Sequence, residues 1–387
     1  MGGTFDPVHW GHVIMAKEAA RAASLDRVLM VPTGNPPHKK GITPAEHRWR
    51  MVCAAAAFEP LLEPCRMELD RVGVIYTVDT LSELHRIYPD AELFYMIGSD
   101  TLLELKNWRS YEKVLTLCTF LVCPRTVKAD QATLDAECAR LESLGGRFIH
   151  VAMQPVDVSS TEMRNALVSG DDTKLLPLVC REYAHLAGLY GLPALLPEDK
   201  LVCLDRLFET LSRRRFAHTL GVTEYARRLA RIHHLDEENT LVAALLHDCA
   251  KCIPEEEMRR ICISQGLTDD PDILASGNLM HAFAGAYMAE KEYGVTDDAV
   301  LDAIRRHTMG EPGMTEIDMA VCLADKIELT RKPYPHLEQV REAAQLSLPL
   351  AMRMSLEGTE AYVRSRGEKL HPMTAKTLAW LRETAHV

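Results

Sequence analysis

The sequence predicts two domains of different class: an α/β domain built on a parallel sheet, followed by an all-α domain. Three observations predict this. The chain has 387 residues, more than one hydrophobic core usually organises. Up to residue 190, short β-rich runs alternate with segments of helical period. Residues 191–197, GLPALLP, read as a hinge with a proline at each end of a short apolar segment, and beyond them nearly every segment has helical period. The expected boundaries are residues 1–192 and 198–387.

In the first half, residues 11–23, 44–58 and 77–88 have helical period, whereas 27–31, 92–97 and 117–123 are strand-like. Strands separated by helices pair in parallel and bind ligands at their carboxyl edge. In the second half, residues 214–233, 237–251, 281–293, 297–307 and 316–329 all read as amphipathic helices. Internal repeats and low-complexity segments are absent.

Composition narrows the function. Lys and Arg number 44 against 55 Asp and Glu, a net charge of −11. That balance argues against a nucleic-acid binder, which needs a broad basic face. Phosphates must therefore be held by locally clustered basic groups. Eleven cysteines at irregular spacings fit reduced thiols rather than a disulfide framework. Cys249 and Cys252 form a C-x-x-C without the second pair that would point to zinc. No apolar run nears the roughly 18 residues needed to span a bilayer, and no targeting segment is visible, so a cytoplasmic protein without membrane partners is expected.

Three clusters in the first half carry phosphate chemistry. Gly2-Gly3-Thr4-Phe5-Asp6-Pro7-Val8-His9-Trp10-Gly11-His12 joins glycines that let a backbone approach phosphate oxygens to two imidazoles on a first helical turn. The second is Pro36-Pro37-His38-Lys39-Lys40, directly after the 27–31 strand and thus at the ligand edge. The third is Ser159-Ser160-Thr161-Glu162-Met163-Arg164, which reads as hydroxyl caps with a guanidinium one turn in. Each alone is more simply an ordinary turn, cap or solvated basic residue. Their combination is not.

Together the clusters resemble the nucleotidyltransferases with HxGH and SSTxxR motifs, and more closely the bacterial nicotinate-nucleotide adenylyltransferases. The residues that carry the resemblance are GGTFDPVHWGH (2–12), PTGNPPHK (32–39), YTVDTL (76–81), IGSD (97–100) with Trp108, and SSTEMR (159–164). The resemblance spans residues 1–192 and implies a Rossmann-like domain that joins an adenylyl group from ATP to nicotinate mononucleotide, with Mg²⁺ on the triphosphate. It implies that His9 and His12 contact the ATP phosphates, with His12 stabilising the transition state. Gly3, Thr4, Phe5, Lys39, Ser160, Thr161 and Arg164 would hold ATP, and Gly98 and Asp100 would meet its ribose. Tyr76, Thr77 and Trp108 would form the pyridine pocket. The substrate phosphate would attack the α-phosphorus in line with no covalent enzyme intermediate, so catalysis is positioning plus charge stabilisation.

This sequence departs from that pattern twice. The family usually carries about six apolar residues before the Gly-Gly pair, forming the central strand, whereas here the chain begins Met1-Gly2. The expectation is a true start upstream of this Met1. Ile75 stands where the family usually has Ser.

The second half carries a dispersed set of metal-ligand residues. His247-Asp248 lies in an apolar segment, followed by Lys251, and His218, His281, His307 and Asp325 sit near helix ends or within apolar helices. A lone His in such a place is usually a core residue, but six ligand-type residues are hard to explain that way. The order H…HD…H…H…D resembles the HD-domain phosphohydrolases, above all the YqeK-type symmetrical diadenosine tetraphosphate hydrolases. The matching segments are RRFAHTLGV (214–222), ALLHDCAK (244–251), LMHAFAGA (279–286), AIRRHTMGEPGMT (303–315) and LADKIELTR (323–331). By that likeness His218, His247, Asp248 and Asp325 bind one cation, and Asp248 bridges to a second held by His281 and His307. The cations would be Fe, Mn or Co, and Asp248 and Lys251 would serve catalysis. Arg305 and Arg331, with Lys251, would clamp the phosphates of diadenosine tetraphosphate while it is cut to two ADP.

The first half's product has two bridging phosphates, so a neighbouring hydrolase that cut it would run a futile cycle. The second site is therefore expected to require the longer tetraphosphate. Other readings are an adenylyltransferase with another acceptor, an HD domain acting on other nucleotides, or an HD domain that senses a dinucleotide without cutting it. The sequence leaves homo-oligomer formation open.

Overall fold

The computed structural model describes residues 1–34, 41–125, 130–156, 158–171 and 174–384. It divides into two units, Met1–Pro193 and Ala194–Val387.

The first unit is α/β. Its strands are β1 (Gly2–Gly3), β2 (Val28–Pro32), β3 (Leu62–Pro64), β4 (Phe94–Gly98), β5 (Thr119–Cys123) and β6 (Phe148–His150). They pair in parallel in two sets, β1-β2-β3 and β4-β5-β6. The sequence explains the central places of β2 and β5. VLMVP and TFLVC are apolar on both faces, as strands covered by helices on each side must be. Helices Trp10–Ala22, Ala45–Ala56, Thr77–Ile87 and Gln131–Glu142 cover them. β1 holds on through Gly2 opposite Val31, and the Met1 amino group donates to the Leu29 carbonyl at 2.9 Å. Between the two sets lies a cavity of about 660 Å³ lined by Met1, Gly2, Leu29, Val31, Phe94 and Tyr95.

The carboxyl ends of β1 and β4 lead into two of the sequence motifs. β1 ends at Gly3 before Thr4 and Phe5, β4 ends at Gly98, and β5 is followed by Arg125.

The second unit is helical, with no strand among its described residues. Helices Arg213–Ile232, Glu237–Leu246, Gly277–Tyr293, Asp298–Arg306 and Glu316–Ile327 form the part that matters for function. Four of their starts are capped by side chains: Ser212, Asp236, Asp297 and Thr315 accept backbone N–H bonds from the first turns. Arg213–Ile232 packs against Glu237–Leu246 and Glu316–Ile327, and its Phe216, Leu220 and Leu229 are each at most 1% exposed. No described helix is long and apolar enough to cross a membrane.

One helix is shorter than its period suggests. The apolar run 237–251 leaves α geometry at Leu246, because Cys249 N bonds Leu246 O and Lys251 N bonds Asp248 O in successive tight turns before Pro254. His247 and Asp248 therefore stand at a helix end, not on a helix face.

Candidate functional sites

In the first unit, His9 is the N-cap of helix Trp10–Ala22 and His12 lies in its first turn. Their rings stack with centroids 3.7 Å apart, and His12 Nδ1 accepts from the His9 backbone N–H at 3.2 Å. Phe5 packs edge-on against His12 at 5.0 Å. Burial, and then the nearby Arg125 guanidinium, push His9 down to about 4. A neutral His9 therefore faces a positively charged neighbour at neutral pH, a setting that favours an anion.

The third motif folds back onto this loop. Ser159 caps helix Ser160–Ser169 in a reciprocal capping box with Glu162. Ser160 Oγ donates to the Pro7 carbonyl at 3.0 Å, and Arg164 Nη1 donates to the Asp6 carbonyl at 2.7 Å. Thr161 Oγ1 accepts from the same guanidinium at 2.9 Å. The structure thus brings His9, His12, Ser160, Thr161 and Arg164 together, with Gly3, Thr4 and Phe5 in the loop they grip. Lys39 lies outside the described residues.

Gly98 caps helix Ser99–Glu104, and a Cβ there would fall 2.3 Å from Asp100 Oδ1 and 2.9 Å from Arg125 Cδ. Only glycine leaves room for that pair of side chains. Asp100 and Arg125 approach to 3.6 Å, and Ser99 Oγ ties the Arg125 backbone in both directions. Ser99, Arg125, His150 and Val151 line a cavity of about 560 Å³ at this edge. Tyr76, the N-cap of helix Thr77–Ile87, and Trp108 pack against the same apolar core, with Trp108 edge-on to Tyr95 at 5.8 Å. The Arg109 guanidinium lies 4.5 Å over the Tyr76 ring.

Sequence reasoning missed two residues here. Arg125 lies two residues past the end of β5, at the carboxyl edge, and that position is the signal that could have found it. Arg48 is 2% exposed, and its guanidinium donates to the carbonyls of Thr43, Thr4, Thr33 and Gly34. It staples the β1 loop to the segment that leads toward Pro36.

In the second unit two groups of ligand atoms meet, each within 4.8 Å of one another: His218, His247, Asp248 and Asp325, and then Asp248, His281 and His307. Asp248 joins them, with Oδ2 3.3 Å from His247 Nε2 and Oδ1 3.1 Å from His281 Nε2. His218 Nε2 lies 2.9 Å from Asp325 Oδ1, and the Nε2 atoms of His281 and His307 are 3.1 Å apart. Burial opposes ionisation of Asp248 and Asp325. The imidazoles around them outweigh it and hold both carboxyls well below the usual range. Burial and then the imidazoles of His281 and His247 push His307 down to about 3.

These residues fit a metal ion. His247 is fully buried, its Nδ1 lies 2.7 Å from the Ala244 carbonyl, and its Nε2 has no hydrogen-bond partner. A carbonyl can only accept, so Nδ1 carries a proton and the unpartnered Nε2 is the ring nitrogen turned toward two carboxylates. That is a ligand's arrangement and a costly one for a core residue.

Cations surround the cluster. Arg331 Nη2 meets Asp325 Oδ1 at 2.6 Å, and Lys251 Nζ meets His281 Nδ1 at 3.1 Å. Arg215 Nη1 meets Asp248 Oδ2 at 2.6 Å. Sequence reasoning gave Arg215 no role, although it lies three residues before His218 on the same helix and so shares its face. Arg305 instead pairs with Asp302 and Glu311 at 3.0 and 3.1 Å. Cys249 is buried and Cys252 exposed, both as free thiols.

Fold and sites together define a parallel-sheet nucleotidyltransferase-type domain ahead of a helical domain with a metal-ligand cluster. The cytidylyltransferase-like family model matches residues 1–166, and the HD domain model matches residues 215–330. A Mycoplasma genitalium protein described as "Probable nicotinate-nucleotide adenylyltransferase/Ap4A hydrolase" is 27% identical, over 94% of this chain and 97% of its own. A Thermoanaerobacter protein described as "Probable nicotinate-nucleotide adenylyltransferase" is 35% identical over 49% of this chain and 92% of its own. Among solved structures, a Clostridium acetobutylicum protein described as a "predicted HD superfamily hydrolase involved in NAD metabolism" is similar. It is 35% identical, with a TM-score of 0.46, over 47% of this chain and 96% of its own. The chain belongs to the nicotinate-nucleotide adenylyltransferase family through its first half and carries an HD domain in its second.

Proposed function

We propose that this chain is a bifunctional enzyme. Residues 1–192 transfer an adenylyl group from ATP to nicotinate mononucleotide, and residues 198–387 cut diadenosine tetraphosphate symmetrically to two ADP. In the first reaction a phosphate oxygen of nicotinate mononucleotide forms a bond to the α-phosphorus of ATP. The bond to the β-phosphate oxygen breaks, and pyrophosphate leaves. Arg164, Ser160, Thr161 and Lys39 hold the triphosphate, joined by Mg²⁺, and His9 and His12 offset charge at the α-phosphate. Gly3, Thr4 and Phe5 form the loop against it, Gly98 and Asp100 meet the ribose, and Tyr76, Thr77 and Trp108 take the pyridine ring.

In the second site His218, His247, Asp248 and Asp325 would hold one divalent cation, and Asp248, His281 and His307 another, of the class Fe, Mn or Co. Such cations supply Lewis-acid chemistry and a nucleophile at neutral pH. Lys251 and Arg331 bind the polyphosphate chain, with Arg215 beside them, and Arg305 joins them only on leaving its pairs with Asp302 and Glu311. We place the enzyme in the cytoplasm.

One observation supports the reading most. Two chemically different donor sets, one for anions and one for cations, each converge within a single chain that is similar over 94% of its length to a protein named for both activities. The test is to incubate the purified full chain with ATP and nicotinate mononucleotide, and separately with diadenosine tetraphosphate and Mn²⁺. Formation of nicotinate adenine dinucleotide and of ADP is expected. Substitution of nicotinamide mononucleotide with equal turnover would overturn the acceptor assignment.

A further inference from the structure

All four histidines of the cluster turn Nε2 inward because Nδ1 has a partner elsewhere. For three of them that partner is a main-chain carbonyl close in sequence. His247 Nδ1 lies 2.7 Å from Ala244 O, His307 Nδ1 2.7 Å from Ile304 O, and His281 Nδ1 3.3 Å from Gly277 O. His218 differs. Its Nδ1 lies 3.1 Å from Oε1 of Glu328, a carboxylate only 1% exposed.

Glu328 is held in place from several sides. It terminates helix Glu316–Ile327, three residues after Asp325. Thr330 donates to it through both its backbone N–H and its hydroxyl. Gly221, one turn beyond His218, makes the space: a Cβ there would fall 2.6 Å from Glu328 Oε2. A buried acid costs stability unless its charge is compensated, so its place behind one ligand calls for an account.

We propose that Glu328 is a positioning residue that makes the cluster asymmetric, so that its two cations bind in order, the first at His218, His247, Asp248 and Asp325. Glu328 takes the Nδ1 proton of His218 as a strong hydrogen bond, which fixes the tautomer and raises the electron density on Nε2. The first position then has two carboxylates within it and a third behind it. The second position has the shared Asp248 alone, and the Lys251 ammonium stands 3.1 Å from His281 Nδ1. That ammonium is a positive charge against the ring of a second-position ligand, and the second cation binds against it. This inference rests on the reading of the second unit as a two-cation site.

The test is a titration of the metal-free full chain with Mn²⁺, followed by calorimetry and by electron paramagnetic resonance. Wild type is expected to bind in two steps at least about tenfold apart, with an uncoupled Mn²⁺ spectrum at one equivalent and a coupled pair at two. Glu328→Gln keeps the shape and removes the charge. It should weaken the first step about 10–100-fold, as expected for loss of an outer partner of a ligand, and close the gap between the steps. Gly221→Ala, which crowds the carboxylate by a separate route, should act in the same direction. Melting of both metal-free variants checks that they are folded. Unchanged two-step binding in both folded variants would overturn the role of Glu328 and leave the two-cation reading standing. A coupled pair already dominant at one equivalent of wild type would overturn ordered loading. Failure of wild type to bind Mn²⁺ at all would overturn this inference together with the two-cation reading.

Discussion

Arg48→Lys is a demanding test of how the first unit holds its phosphate loop. The guanidinium donates from Nη1 to Thr4 O and Thr33 O at 2.9 and 2.8 Å, from Nε to Thr43 O at 2.9 Å, and from Nη2 to Gly34 O at 3.1 Å. Lysine keeps the charge, but its single ammonium can replace only the Nη1 pair, so Thr43 O and Gly34 O lose their partner. Both residues are half-buried, so about 1 kcal/mol each, the low end for an unsatisfied carbonyl, gives a loss of about 2 kcal/mol. For a unit of this size that is a melting shift of about 4–8 °C. Calorimetry of the full chain reads it in the transition that ATP shifts upward. The KM for ATP should rise as well, since Arg48 ties Thr4 to the neighbouring loop. A shift below about 1 °C with unchanged KM would refute the staple.

Three further outcomes follow from the sites. His9 in the folded chain sits at about 4, below its ordinary value near 6.5. Its contribution to stability is therefore complete above pH 6.5 and is lost as pH falls from there through 4, by up to about 3 kcal/mol. A His9→Gln variant should lose less stability than wild type over that interval in denaturant titrations, and parallel curves would contradict the burial argument. Stripping metal with a chelator should lower the melting of the second unit by about 5–11 °C, the loss of about 2.7 kcal/mol expected when a ligand present at 100 times its Kd is removed. Restoration by Mn²⁺ is expected, and indifference to the chelator would count against a metal centre. Nicotinate adenine dinucleotide should survive incubation with the metal-loaded chain while diadenosine tetraphosphate is consumed, as chromatography of the nucleotides will show. Rapid cleavage of the former would contradict the separation of the two reactions.

Much of this architecture could be read along the sequence, for identifiable reasons. Continuous β-rich apolar runs marked β2 and β5, and period 3.6 marked the helices, because the buried faces are apolar and continuous. Motifs confined to one turn, such as residues 2–12 and 159–164, were legible because the backbone geometry they need is local. The cap of Ser159 and the glycine demanded at Gly98 belong to this class. What escaped depends on contacts between distant residues. Arg48 looks like a surface residue in an amphipathic helix, and nothing local says that four carbonyls from three other places surround it. Glu328 reads as an exposed acid after a helix until Gly221 and His218 are seen packed on it, 107 and 110 residues away in sequence. The helix end at Leu246 was hidden by an apolar run that continues unbroken into the tight turns around His247.

The central claim is that one chain carries two independent phosphate chemistries. It is tested most directly by measuring both activities on the full chain after His12→Ala and after His247→Ala. The account predicts that His12→Ala lowers adenylyl transfer on the order of 10²–10³-fold, the usual cost of one transition-state donor, and leaves tetraphosphate hydrolysis at its wild-type rate. His247→Ala should abolish metal-dependent hydrolysis and leave adenylyl transfer intact. Loss of both activities in either folded variant, or of neither, would contradict it.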